Sequence, residues 1–228
     1  MSKVFLVEDY PTISNSIIAA LKKWRYEVEV VHDWNEVDTE ILESNADIVL
    51  MDITLPVFDG FYWTQKLRDA SKLPIIFISA AEMNTNAVRA IATGADDYVT
   101  KPFSLDVLIS KVQAILRRVN QYSQNNDSVL QFENSSLNTL TNEVTHADLT
   151  VKLTPTEGYI LKILILNVNH LVSKQKLMRM LWQGGSFIDE DVLNTNMSRL
   201  RSKLKRIGLI DKIVTERKQG YRLVTNHE

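Results

Sequence analysis

Five polar side chains in the first half of this sequence stand where short apolar runs end: Glu8 and Asp9 after "KVFLV", Asp52 after "DIVLM", Ser79 at the close of "PIIFIS" and Lys101 after "DYVT". In an open parallel α/β sheet, ligands bind at the carboxyl ends of the strands, so five such residues converge on one pocket. Three carboxylates there repel one another without a cation among them, and an all-oxygen site beside a phosphoryl acceptor suits Mg²⁺. A carboxylate can attack phosphorus and hold it as an acyl phosphate, a step that needs charge neutralisation more than acid/base work. Lys101 and Mg²⁺ would neutralise the transferring oxygens, and the Ser79 hydroxyl would donate to one of them. Asp52 is the candidate phosphoacceptor.

Each residue taken singly has a plainer reading. Asp9 could cap a helix beginning near Pro11, a lone strand-end Asp or Ser is usually a turn residue, and Lys101 before Pro102 could be a loop lysine. The coincidence of all of them at successive strand ends favours the joint site. Two enzyme or cofactor alternatives fit less well. A phosphatase of the haloacid dehalogenase type needs a second Asp two residues after the first, where this chain has Thr54. A flavin-binding domain needs a hydroxyl- and glycine-rich loop after the first strand, and "VEDYPT" offers acids that repel phosphate.

The elements that must position these groups alternate strictly: five short apolar runs, each followed by a segment of helical period, from "KVFLV" to "LDVLISKVQAILRR". That order predicts an α/β doubly wound five-stranded parallel sheet with helices on both faces. "QYSQNNDS" at 121–128 reads as a linker, which divides the chain into 1–120, 121–128 and 129–228. Beyond it come short strands around "VLQF", "SLNTL", "EVTHA" and "LTVKL", then helices. "TPTEGYILKILILN" carries a capping box on Thr154 and Glu157 with Pro155 at the first helical position. Ser173 caps a second helix, a third runs from about Asp189 to Ile207, and "KIVTERKQGYRLV" predicts a terminal hairpin.

Composition narrows the chemistry further. The 228 residues carry no Cys, which removes disulfides, thiolate catalysis and cysteine-ligated zinc. No apolar run is long enough to span a membrane and no signal peptide opens the chain, so a cytoplasmic protein without membrane insertion is expected. Residues 1–120 hold 12 Lys and Arg against 17 Asp and Glu, whereas 121–228 hold 14 against 11. Between 199 and 222 there are nine basic side chains and two acidic ones, as on a surface that meets polyanions.

"VED", "MDITLPVFDG", "FISA" and "DDYVTKPF" together resemble the receiver domain of bacterial response regulators over about 118 residues, in order and spacing. The resemblance implies a flavodoxin-like receiver with Mg²⁺ held by Glu8 or Asp9, Asp52 and the Thr54 carbonyl. It implies a phosphoryl group arriving from a sensor histidine kinase, a cis Lys101–Pro102 peptide, and Tyr98 as a switch residue, although Tyr98 reads equally as a core aromatic. It also implies dimerisation on phosphorylation through charged residues matching Arg89, Asp96, Asp97, Lys111 and Arg118. Val107 departs from that pattern, standing where a Glu usually pairs with the Arg89 position. No catalysis beyond self-phosphorylation and slow autodephosphorylation is expected.

The second half, with "RLRSKL" followed by "QGYRL", resembles the α+β winged-helix effector of OmpR/PhoB-type transcription factors. The spacing of Asn196, Arg199 and Lys203 suggests an outward polar face opposite a buried stripe of Leu193, Met197, Leu200 and Leu204. The resemblance places Thr195, Asn196, Arg199 and Arg201 on a helix reading double-stranded promoter DNA and Arg217 on the wing, with Lys218 beside it. Asp191 and Asn196 replace an Arg and a His common in the family. "WQGGSFIDE" matches a loop that can face RNA polymerase, and Trp182 within it reads equally as core. "FYWTQKLR" with "PIIFIS" resembles regulators paired with peptide-antibiotic sensing kinases. The rival function is a phosphorylation-independent DNA-binding regulator whose receiver is only a dimerisation scaffold; Mg²⁺-dependent phosphoryl uptake separates the two.

Overall fold

The computed structural model describes residues 1–80, 93–121, 129–182 and 190–225, and the side chains of 80, 118–121 and 182 are outside that description. The chain forms two compact units, Met1–Leu116 and Arg117–Glu228.

The first unit contains β1 (Lys3–Val7), α1 (Pro11–Lys23), β2 (Glu27–Val30), α2 (Val37–Glu43), β3 (Ile48–Asp52), α3 (Gly60–Ala70), β4 (Ile75–Ala80), β5 (Asp97–Lys101) and, as far as Leu116, α4 (Leu105–Gln121). Its strands pair in parallel in the order β2-β1-β3-β4-β5, so the order reverses between β1 and β3. Each strand displays side chains alternately to two helical layers. Val4, Leu6, Leu50, Ile76 and Ile78 pack with Ile17 and Leu21 of α1 and Leu108, Val112 and Ile115 of α4. On the other parity, Phe77 meets Phe61 of α3 with ring centroids 5.3 Å apart. This two-sided burial explains why β3 is buried at every position and why its sequence is continuously apolar until Asp52. The expected helix around "NAVRAIATG" falls largely outside the described residues.

The start of α3 fixes the geometry below the site. The Asp59 carboxylate accepts from Tyr62 N at 2.8 Å and so caps the helix. A Cβ on Gly60 would lie 2.2 Å from the Asp52 carbonyl oxygen, so only glycine lets α3 begin so close to the end of β3.

The second unit opens with an antiparallel sheet of β6 (Val129–Phe132), β7 (Ser135–Asn138), β8 (Glu143–His146) and β9 (Leu149–Lys152). Then follow α5 (Pro155–Ile165), β10 (Val172–Ser173), α6 (Lys174–Trp182), α7 (Glu190–Arg206), β11 (Ile213–Glu216) and β12 (Gly220–Leu223). β10, β12 and β11 form a small antiparallel sheet whose β11–β12 hairpin is the wing. The capping box of α5 is present: Thr154 N donates to Glu157 Oε2 at 2.8 Å, and Glu157 N donates to Thr154 Oγ1 at 3.4 Å. Ser173 Oγ accepts from Lys176 N at the start of α6. Leu193, Met197, Leu200 and Leu204 form the buried stripe of α7, as their spacing requires.

Candidate phosphoacceptor and DNA-binding sites

The strand order reverses between β1 and β3, whose carboxyl ends bring Glu8 and Asp52 together, and β5 supplies the cation. Lys101 Nζ lies 2.8 Å from Glu8 Oε2 and 2.8 Å from Asp52 Oδ2. Glu8 and Asp52 are buried, Asp9 is exposed, and ligand atoms of all three carboxylates lie within 4.8 Å of one another. Burial pushes the Glu8 carboxyl above the usual range, the hydrogen bond from Lys101 pulls it back, and the nearby Asp52 charge raises it again. Burial works against the Lys101 ammonium, but bonds to Asp52 and Glu8 outweigh it and hold its pKa above that of a free lysine. One lysine thus balances two buried carboxylates, and the cluster retains a net negative charge. An all-oxygen set of this charge fits a small hard cation.

Thr54 N donates to Asp52 Oδ1 at 3.4 Å, and Ser79 is buried on β4, whose register sets Asp52 beside Ile78. Tyr98 is half-buried on β5. The Lys101–Pro102 peptide is cis.

The two acids expected on a dimer face are turned inward. Asp96 is fully buried, and its Oδ2 accepts from Arg68 Nη2 at 3.3 Å and Ile75 N at 3.2 Å. Arg68 also donates to the Gly94 and Leu73 carbonyls, tying the end of α3 to the turn before β5. An outward Asp96 is therefore corrected: a carboxylate with two internal donors and no exposure is spent within its own protomer. Asp97 Oδ1 accepts from Lys111 Nζ at 2.8 Å and from Tyr98 N at 2.8 Å, with both side chains buried. Arg89 and the Arg118 side chain lie outside the described residues.

The polar face assigned to α7 also needs correction. Asn196 is fully buried and its Nδ2 donates to the Val192 carbonyl, so it cannot reach a base. Its place one position from Met197 and four from Leu200 puts it inside the apolar stripe. Arg199 and Lys203 flank that stripe and both meet the fully buried Glu157 carboxylate of α5. Arg201 lies on the opposite flank, where it donates to the Ile213 carbonyl and Thr215 Oγ1 and sits 5.6 Å above the Tyr221 ring. Thr195 is half-buried and donates to the Asp191 carbonyl, and Arg217 is exposed at the wing. The organising role of Glu157 had no local signal, because its cationic partners come more than forty residues later.

The family described as "Response regulator receiver domain" matches residues 4–113, and "Transcriptional regulatory protein, C terminal" matches 148–223. The chain belongs to the OmpR/PhoB-type response regulators. This response regulator is 38% identical over 218 residues to the response regulator protein GraR of Staphylococcus saprophyticus, covering 96% of this chain and 97% of that one. It is 38% identical over 221 residues to the sensory transduction protein BceR of Halalkalibacterium halodurans, covering 97% and 96%. The solved response regulator DrrB of Thermotoga maritima, an OmpR/PhoB homolog, shares the fold with a TM-score of 0.52 at 21% identity, covering 99% of this chain and 100% of that one. As a response regulator it combines a receiver with a DNA-binding effector that controls transcription. No helix among its described residues is long and apolar enough to cross a membrane.

Proposed function

We propose that this response regulator accepts a phosphoryl group on Asp52 from a sensor histidine kinase, dimerises, and binds tandem promoter half-sites. The observation that carries the reading is Lys101 held 2.8 Å from both Glu8 and Asp52 at the strand ends. Glu8 or Asp9, Asp52 and the Thr54 carbonyl would hold Mg²⁺, which when bound neutralises charge on the transferring oxygens. An Asp52 oxygen forms the new bond to phosphorus as the donor's phosphorus–nitrogen bond breaks. Lys101 pairs with a phosphoryl oxygen and Ser79 donates to another. The acyl phosphate is then lost only slowly to water.

Phosphorylation would draw Ser79 and Tyr98 toward the new dianion and favour a dimer through the face of β5 and α4. There the internal Asp97–Lys111 pair holds β5 against α4; Arg89 and Arg118, which the family resemblance adds to this face, lie outside the described residues. Two effectors then occupy tandem half-sites about one helical turn apart; the RNA polymerase contact expected of "WQGGSFIDE" falls largely on residues 183–189, outside the described residues. Acting in the cytoplasm, the protein would serve cell-envelope or antimicrobial-peptide stress; the "FYWTQKLR" resemblance and the full-length likeness to GraR and BceR support that assignment.

Intact mass spectrometry with Mg²⁺ and a small phosphodonor tests the first step. Wild type should gain one phosphoryl group, and Asp52→Asn or chelation of the metal should abolish the gain. Equal uptake by Asp52→Asn would refute the site.

A further inference from the structure

Resting on the DNA-binding reading of the effector, we propose that bases are read by the short side chains Thr195, Ser198 and Ser202 of α7, with Lys205 and Arg206 gripping phosphates beyond them. The longer polar residues on the helix flanks hold the domain together instead. At 3.6 residues per turn, positions 195, 198, 202 and 205 fall within an arc of about 80°. That arc lies opposite the buried Leu193, Met197, Leu200 and Leu204. Ser198, Ser202, Lys205 and Arg206 are exposed and Thr195 is half-buried.

Both flanks of the arc are occupied. Arg199 and Lys203 turn toward Glu157 on one side, with side chains 15% and 17% exposed. Arg201 turns toward β11 and Tyr221 on the other. Of the remaining basic side chains between 199 and 222, Lys212 pairs with Glu133 and Arg222 with Glu216. Lys205, Arg206, Arg217 and Lys218 are exposed and make no ion pair among the described residues. These four are the cations left to displace counterions from a polyanion.

The ligand class follows from the size of the central residues. A helix about 10–12 Å across fills a major groove about 12 Å wide, so close approach of its backbone to the bases requires short side chains on the facing arc. Hydroxyls donate or accept, and a threonine methyl can meet the methyl of thymine, whereas neither carries charge to a phosphate. The arc is thus built to read duplex bases at close range, and the cations at its carboxyl end and at the wing are built to grip the backbone on either side.

The test uses the full-length protein and a duplex fragment that wild type retains from a randomised pool, followed by fluorescence anisotropy across a salt series. Ser202→Glu places a carboxylate in the groove and should weaken binding at least about tenfold, with the thermal midpoint unchanged because the position is exposed. Lys205→Gln and Arg206→Gln should each lower the log–log salt slope by about 1. Lys203→Gln should lower the effector's thermal midpoint and leave the slope unchanged. Wild-type affinity in folded Ser202→Glu, or a slope lowered by Lys203→Gln but not by Lys205→Gln, would overturn the assignment while leaving the DNA-binding reading intact. Failure of wild type to retain any duplex would overturn both.

Discussion

Substituting Glu157→Gln separates a structural basic face from a DNA-contacting one. Gln at the third helical position can still reach back to Thr154 N, so the capping box survives and only the negative charge is lost. Arg199 and Lys203 then face a buried amide, and removing one member of a buried charge cluster costs about 3–5 kcal/mol. Their heads sit at the rim and partly rehydrate, which brings the expected loss to about 2–3 kcal/mol. For a domain of this size each kcal/mol shifts the midpoint by about 4–8 °C, so the effector transition should fall by roughly 10–20 °C. Scanning calorimetry on the whole chain reads the effector and receiver transitions together, and an unmoved receiver transition is the internal control. Adding Arg199→Met and Lys203→Met to Glu157→Gln should recover part of the loss, since no uncompensated charge then remains. A shift below about 3 °C would be the value of an exposed pair, and would return Arg199 and Lys203 to the solvent face.

Two further outcomes follow from the same structure. Gly60→Ala drives a Cβ to 2.2 Å from the Asp52 carbonyl, so α3 must shift; receiver stability should drop by about 1–3 kcal/mol and phosphoryl uptake should slow, and wild-type values for both would contradict the close approach. Burial raises the Tyr221 phenol above its ordinary pKa, and the phenol donates to Asn194 Oδ1 at 2.8 Å. Its folded form therefore keeps a proton that the unfolded chain has lost, so effector stability should decline as pH rises from about 10 through the folded value. Tyr221→Phe should lose that alkaline component, and unaltered pH dependence in urea unfolding would refute it.

Both folds, and the gathering of Glu8, Asp52 and Lys101 at the strand ends, were legible in the amino-acid order. Strand-end residues are legible because a parallel sheet buried on both faces demands unbroken apolar runs, which makes each terminal Asp52, Ser79 or Lys101 conspicuous, and because all strands point the same way their ends meet. The Thr154–Glu157 cap is legible for a different reason: its chemistry is local. The destinations of long charged side chains were not legible, because packing between distant elements sets them. Arg199, Arg201 and Lys203 each lie on the border of the buried stripe, and helical period alone cannot say whether such a residue leans toward solvent or toward a neighbouring element. A carboxylate on another helix settled that for Arg199 and Lys203, as Arg68 did for Asp96, since burying a charged side chain is costly without a partner, and sequence distance conceals the partner.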